Sequence, residues 1–219
     1  MKKIILSVIL SSILITVITA QNGVLREITG NVELKHAGAA AFIPAAAGAQ
    51  VSLNTIISTG FRSSAIVVIG SSTITVRPLT RLSLAEIQSS ENSEKVNVHL
   101  QAGRVRVDIK PASGTRADFT VQSSRAIASV RGTSFEFDTV NLNVREGKVL
   151  FGGSSGGPLA MVNGGFFTYV SSDGTAENPV EVTAASTMPS APAGSHGSSP
   201  VSGANASASG ELTVTPEYN

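Results

Sequence analysis

The sequence contains no cysteine and no tryptophan, and aromatic residues make up only 5% of its 219 residues. Without cysteine, the chain forms neither a disulfide framework nor a thiolate metal site, and it has no thiol nucleophile. A lipidated cysteine behind an export leader is excluded for the same reason. The stability of any fold must therefore come from a non-covalent core, and apolar residues at 42% of the chain are enough to form one.

Histidine is scarce and the net charge is close to zero. His36, His99 and His196 lie far apart without the spacing of metal ligands, so we expect no metal site and no cofactor. The 16 basic and 15 acidic residues nearly balance, and no basic stripe with interleaved aromatic residues occurs. The charge pattern therefore predicts no nucleic-acid partner.

The N-terminal stretch "MKKIILSVILSSILITVITAQNG" has two lysines followed by an apolar run from Ile4 to about Ala20. This pattern is typical of a secretory signal peptide, which we assign to residues 1–20 with cleavage after Ala20. The run is close to the roughly 20 residues that a membrane-spanning helix needs, so an uncleaved anchor is the alternative. In either case we expect an exported protein, periplasmic, secreted or at the cell surface, with no membrane span after signal removal.

Residues 21–175 have the pattern of many short strands. In "VNVHL" and "RVRVDI" apolar residues alternate with polar ones, and this period of two indicates half-buried strands. Glycine-rich turn signals such as "IGSST", "REGK" and "SSDG" separate the runs, whereas no sustained helical stripe occurs before Val170. The pattern predicts an all-β domain, and it leaves a compact sandwich, a roll and a short β-helix open.

The composition changes near the C-terminus. Residues 176–219 are rich in serine, alanine, glycine and proline and have few bulky apolar side chains. Such a segment cannot bury enough surface to offset its chain entropy, so we predict a disordered tail. The stretch "ELTV" near the end is a weak signal for a strand or a docking segment.

The stretch "SVRGTSFEFDT" interrupts a strand pattern with a glycine. The pattern runs to Val130 and resumes at Ser134, so Gly132 suits a bulge or a tight corner, where a positive φ is needed. We predict that Thr133 bonds backbone groups exposed by the corner. Arg131 either braces the corner by donating to carbonyls or meets an anionic ligand. Arg131, Gly132 and Thr133 are therefore the candidate residues for a structural corner or a binding site.

Two weaker patterns suggest other chemistry. "FGGSSGGP" contains a Gly-x-Ser-x-Gly motif around Ser154, but Pro158 and a strand-like run follow it, and the only later histidine is His196. A hydrolase needs a strand, a helix and further triad residues around that serine, so a flexible loop is the preferred interpretation. Glu136 and Asp138 alternate on one strand face, about 7 Å apart, and form a solvated face or at most a weak cation site.

Three stretches together resemble the FecR domain family. The first is "AAAGAQVSLNTIISTGFRSSAIVVIGSSTITVRPLTRLSL", the second "ADFTVQSSRAIASVRGTSFEF" and the third "LNVREGKVLFGG". The matching positions in the first are Gly48, Leu53, Ile57, Thr59, Gly60, Ser64, Ala65, Gly70, Ser72, Pro78, Thr80 and Leu82. Those in the other two are Phe119, Val121, Ala126, Val130, Arg131, Gly132, Thr133, Phe135, Val144, Glu146, Gly147 and Val149.

The resemblance covers roughly residues 24 to 170, and its specificity lies in the order of the motifs. Ser71 departs from the family, which often has aspartate there. Signalling members of the family begin with a cytoplasmic segment and one membrane span, whereas the leader here starts at residue 1. We therefore do not expect the iron-citrate signalling role of the family.

These observations predict an exported, non-catalytic β domain that serves as a binding or recognition module in the periplasm or at the cell surface. The expected partner is an envelope protein or a cell-wall component, and sheet edges would offer backbone groups for strand addition. A structural or adhesive envelope protein is the first alternative. A serine hydrolase that uses Ser154 is the remote one.

Overall fold

A computed structural model describes residues 22–90 and 92–187 of the chain. The predicted leader lies outside the described residues, as do His196 and most of the predicted tail. Among the described residues, no helix is long and apolar enough to span a membrane.

The described residues form seventeen strands and one helix, which confirms the predicted all-β class. In chain order the elements are β1 (Gly23–Thr29), β2 (Val32–Lys35), β3 (Ile43–Pro44), β4 (Gln50–Val51), β5 (Ile56–Thr59), β6 (Ser64–Ile69), β7 (Ser72–Val76), β8 (Arg81–Ser90), β9 (Ser93–Ala102), β10 (Arg104–Ile109), β11 (Arg116–Gln122), β12 (Ala126–Val130), β13 (Ser134–Asp138), β14 (Asn141–Glu146), β15 (Lys148–Gly153), β16 (Ala160–Asn163), β17 (Phe167–Tyr169) and α1 (Pro179–Thr187).

The strands form two sheets. Sheet I has the order β17-β14-β13-β10-β7-β6-β1-β4, and sheet II has the order β16-β15-β12-β11-β9-β8-β5-β2-β3. The chain passes repeatedly from one sheet to the other and advances along both in the same direction. The fold is therefore a two-sheet sandwich with a progressive winding like that of a roll. The pairing of β9 with β11 is parallel, and the other described strand pairs are antiparallel.

One apolar core lies between the sheets, and both contribute to it. The alternation predicted from "VNVHL" and "RVRVDI" is confirmed, because their valines, leucine and isoleucine are buried and the residues between them are not. The rings of Phe137 in sheet I and Phe151 in sheet II meet edge to face, with centroids 6.3 Å apart. Such contacts hold the two layers at a fixed spacing.

Helix α1 lies at the start of the segment predicted to be a disordered tail from residue 176, so the ordered region extends further than expected. Asn178 caps the helix, since its Oδ1 accepts from the Val180 N–H at 3.1 Å and its Nδ2 donates to Glu181 at 3.2 Å. Pro179 follows at the first helical position, where its missing N–H costs nothing. Thr183 then joins the helix to β17 by accepting from the Phe167 N–H and donating to the Phe167 carbonyl.

Candidate functional site

The corner predicted from sequence is the crossing between the two sheets. β12 ends at Val130 in sheet II and β13 begins at Ser134 in sheet I. Gly132 lies between them with a φ of 73°. A Cβ at this position would meet only Pro111, at an ordinary contact distance of 3.5 Å. The corner therefore needs glycine for its backbone conformation rather than for lack of space.

Thr133 is only 5% exposed, and its role differs from the prediction. Its backbone carbonyl accepts from the Ile109 N–H at 3.0 Å. The predicted bond from its side chain to the backbone is wrong, because the buried Oγ1 has no hydrogen-bond partner among the described residues. The methyl group packs on Gly147 instead, where a Cβ would come within 2.6 Å of Thr133 Cγ2. Thr133 thus fastens the corner to the β14–β15 turn by packing.

Arg131 pairs with a carboxylate rather than with the carbonyls considered in the sequence analysis. Its Nε donates to Asp118 Oδ1 on β11 at 2.7 Å, while the arginine side chain stays 69% exposed. In the part of the chain that the structure describes, the two terminal nitrogens of this guanidinium make no hydrogen bond. Arg131 therefore keeps donor capacity for an anion from outside.

A groove on the outer face of sheet II begins at this corner. Its volume is about 760 Å³, and it crosses the strands from β9 to β16. The lining residues are Lys95, Asp118, Phe119, Thr120, Ser129, Val130, Arg131, Gly132, Gly147, Lys148, Leu150 and Met161. Lys95 pairs with Glu86 at 3.0 Å, whereas Lys148 has no ion pair with any described residue. The groove combines an apolar floor with a local excess of positive charge.

The far side of the groove is an open sheet edge formed by β16. This strand pairs with β15 alone among the described strands. Gly164 N donates to Gly147 O at 2.8 Å, one step beyond the β15–β16 register. Hydrogen-bonded pairs alternate along an antiparallel ladder, so Val162 and Ala160 bond to β15 while the N–H and C=O of Met161 point to the open side.

The three other described edges are short or covered. β3 and β4 have two residues each, and Pro44 in β3 has no N–H to offer. β17 is covered by the segment behind it, because Thr183 bonds Phe167 and the Glu177 N–H donates to the Tyr169 carbonyl. β16 is thus the described edge best able to accept another strand.

Glu136 and Asp138, the weak candidates for a cation site, are engaged by arginines on the outer face of sheet I. Glu136 pairs with Arg77 at 2.9 Å and with Arg145 at 3.2 Å, and Asp138 pairs with Arg104 at 3.4 Å. Burial alone would raise the pKa of both carboxyls, but hydrogen bonds and these cations hold each pKa below its usual value. Within the described ranges no group of three acidic or histidine side chains could hold a metal ion.

Ser154 lacks the surroundings of a hydrolase nucleophile within the described residues. Its Oγ donates to the Ser124 carbonyl at 2.8 Å, and a loop and β16 follow it where a helix would be needed. Of the two described histidines, His36 lies beside Thr55 and His99 lies on β9, paired across strands with Gln122 and Ser83. Neither of these two histidines therefore lies at this serine.

The sequence analysis missed Lys148, Leu150 and Met161 as site residues. Each reads as an ordinary position on a strand, and no local motif marks it. They become a site because β15 and β16 are neighbours at the end of sheet II and because β12 brings Arg131 next to them. The alternation alone could have shown only that Leu150 and Met161 face away from the core.

Residues 55–150 match the family described as FecR protein. Residues 55–150 are therefore a FecR domain. This confirms the predicted family, over a shorter stretch than the resemblance covers. This FecR domain includes the corner and the β14–β15 turn, whereas β1 to β4 and β16 to α1 lie outside it.

The chain is also similar in structure to two crystal structures of a candidate anti-sigma factor from Parabacteroides distasonis ATCC 8503. The sequence identities are 19% and 18%, and the TM-scores are 0.45 and 0.44. The matches cover 60% and 59% of this chain and 64% and 63% of the others, so this chain spans less than two thirds of their length. No curated protein matches the chain significantly.

Ser71 occupies the position at which the family often has aspartate, and it is hydrogen-bonded to a buried carboxylate. Its N–H and its Oγ both donate to Glu94 Oε2 at 2.9 Å. Gly70 lies against the same carboxylate, since a Cβ there would overlap Glu94. The β6–β7 turn of this FecR domain is therefore fastened to β9 in the opposite sheet by an acidic side chain that comes from β9.

Proposed function

We propose that the protein is an exported, non-catalytic recognition module of the cell envelope, and that it binds a protein partner by strand addition to β16. The open edge of β16 is the observation that carries this proposal. Unpaired N–H and C=O groups at a sheet edge are a template for an extended chain. The other described edges are short or covered, so partner binding would be directed to one place.

The surroundings of the titratable and nucleophilic side chains support a role without catalysis. Ser154 donates to a backbone carbonyl, and no histidine that the structure describes is near it. Glu136 and Asp138 are engaged in ion pairs, so these two carboxylates are not free for acid–base work.

Export is supported by the leader pattern and by the start of the fold. β1 begins at Gly23, directly behind the cleavage position proposed after Ala20. Cleavage there would remove no residue of the described sheets. An envelope protein or a cell-wall component is then the partner class within reach.

The test is capture of partners from envelope extracts by the wild-type chain and two proline variants. Met161→Pro removes an N–H from the open edge and, by the pairing pattern, no bond to β15. Gln50→Pro removes an outward N–H from the short edge strand β4 and is the matched control, because the neighbouring Leu25–Ala49 pair is the hydrogen-bonded one. We expect a stoichiometric partner whose capture falls at least tenfold with Met161→Pro and is unchanged with Gln50→Pro, while circular dichroism shows both variants folded.

Equal capture by a folded Met161→Pro variant would contradict strand addition. Bulk association with wall or outer membrane, in place of a stoichiometric partner, would favour the structural or adhesive role. The same preparation tests export, because the protein should be recovered outside the cytosol with Gln21 as its first residue.

A further inference from the structure

The side chains beside the open edge indicate what kind of strand would bind there. We propose that the added strand is a peptide with alternating acidic and apolar side chains on its outward face. Its carboxylate pairs with Lys148, with Arg131 behind it, and its apolar side chain covers Met161 and Leu150. This inference rests on the strand addition proposed above and names the chemistry of the ligand.

Two rows of outward side chains cross sheet II to the open edge. One row holds Arg131, Lys148 and Asn163, and the other holds Ser129, Leu150 and Met161. The rows are about 7 Å apart, because two residues separate them along each strand. A strand added to β16 places its residues i and i+2 in line with the two rows, so one peptide residue continues each row.

The first row attracts a carboxylate. Arg131 follows Val130, which pairs with Val149, so Arg131 and Lys148 are cross-strand neighbours of like charge. Like charges in this position repel. Asp118 balances one of them through its 2.7 Å contact with Arg131, and Lys148 has no ion pair within the described ranges. An added strand lies about 10 Å from β15, a distance that a lysine and a glutamate side chain together span.

The second row attracts an apolar side chain. Leu150 is 39% exposed and Met161 is 52% exposed, and they lie opposite each other in a non-hydrogen-bonded pair, where side chains are closest. The flexible thioether of methionine adapts to differently shaped partners. An apolar residue two positions from the acidic one would remove both exposed side chains from water.

The acidic groups near the groove would not oppose such a ligand. Asp118 is bonded to Arg131 and Glu86 is bonded to Lys95. A peptide with lysine in place of glutamate would bring a third cation beside Arg131 and Lys148. Electrostatics thus select the sign of the ligand, and the apolar pair selects the spacing.

The test is fluorescence anisotropy with the full chain and labelled peptides of about six residues, the length of an ordinary strand. Four peptides are compared. The first carries glutamate and leucine in turn at every second residue (Glu-x-Leu-x-Glu-x), so that both lie on one face of the strand. The second has lysine in place of glutamate, the third has serine in place of leucine, and the fourth has the residues of the first in scrambled order. We expect the glutamate–leucine peptide to bind at least tenfold more tightly than the others, and more weakly as salt rises.

Single substitutions test the charge preference of the first row and the apolar preference of the second row separately. Lys148→Glu should weaken the glutamate–leucine peptide at least tenfold and favour the lysine–leucine peptide, and Met161→Ser should reduce the difference between leucine and serine peptides. Arg26→Glu, on the exposed part of β1 in sheet I, is the charge control and should change nothing. Equal binding of all four peptides, no binding of any, or insensitivity to Lys148→Glu would overturn the ligand class.

The outcomes separate this inference from the proposed function. If peptides of any sequence bind and Met161→Pro abolishes their binding, strand addition stands and the acidic–apolar preference fails. If the glutamate–leucine peptide binds equally to Met161→Pro, strand addition fails and the inference that rests on it fails as well.

Discussion

Buried threonines show that one residue type serves opposite energetic roles in this fold. Thr59 and Thr133 are each 5% exposed. The Thr59 hydroxyl donates to the Arg77 carbonyl at 2.6 Å and accepts from the Thr80 N–H at 3.0 Å. The Thr133 hydroxyl has no partner among the described residues, although its methyl group packs on Gly147. A buried hydroxyl without a hydrogen-bond partner destabilises the folded state, whereas a hydrogen-bonded one stabilises it.

The same substitution should therefore have opposite effects at these two positions. Thr133→Val replaces the unpaired hydroxyl by a methyl group of similar size, and we expect the free energy of unfolding to rise by about 1 kcal/mol. Thr59→Val leaves two backbone groups without their partner and should lower it by about 1–3 kcal/mol. Urea unfolding of both variants checks the pair. A loss of stability in Thr133→Val would show that its hydroxyl is bonded after all.

At the scale of elements, the outer face of sheet I is held by charges across β7, β10, β13 and β14. Arg77 and Arg145 bind Glu136 from either side, and Arg106 binds Asp108 through Nε at 3.0 Å. Burial alone would raise the pKa of Glu136 and Asp108, but their bonds to arginine and to neighbouring groups keep each pKa below its usual value. The ionised forms therefore stabilise the fold.

This charge pattern predicts a loss of stability in acid. Because the pKa values are lower in the folded state, the stabilisation is complete above the ordinary values of 4.5 for Glu136 and 3.8 for Asp108, and it disappears as the pH falls through the folded values. We expect the unfolding free energy of the wild type to fall steadily below about pH 4.5. Glu136→Gln should show a shallower fall, and an unchanged slope in urea titrations from pH 7 to pH 3 would contradict the assignment.

At the scale of the whole molecule, the two sheets extend beyond the matched FecR segment. β1 pairs with β6 and β2 pairs with β5, so strands that precede residue 55 belong to the same sheets as those that follow it. Leu25, Leu34 and Val162, all from outside the segment, are fully or almost fully buried in the common core. The folding unit is therefore larger than the family match.

Truncated chains test how far the folding unit extends beyond the FecR match. A chain of residues 21–187 should unfold cooperatively at the same midpoint as the chain of residues 21–219, because it keeps every described strand and α1. A chain of residues 55–150 should fail to fold, since it exposes core surface on both sheets at each end. Thermal unfolding followed by circular dichroism measures both, and a cooperative transition in the shorter chain would show that the flanking strands are dispensable.

The sequence by itself determined the all-β class, the buried positions of the strands, the corner at Gly132 and the family, because alternation and turn chemistry are local properties of a chain. Helix α1 was missed, although the Asn178-Pro179 cap was a local signal, because the composition around it suggested disorder. Only the tertiary structure decided that β16 is an open edge, that Lys148 and Met161 lie beside Arg131, and that Glu136 is paired with two arginines. These features depend on the order of strands in each sheet, and that order arises from contacts between residues far apart in the chain, which no local pattern encodes.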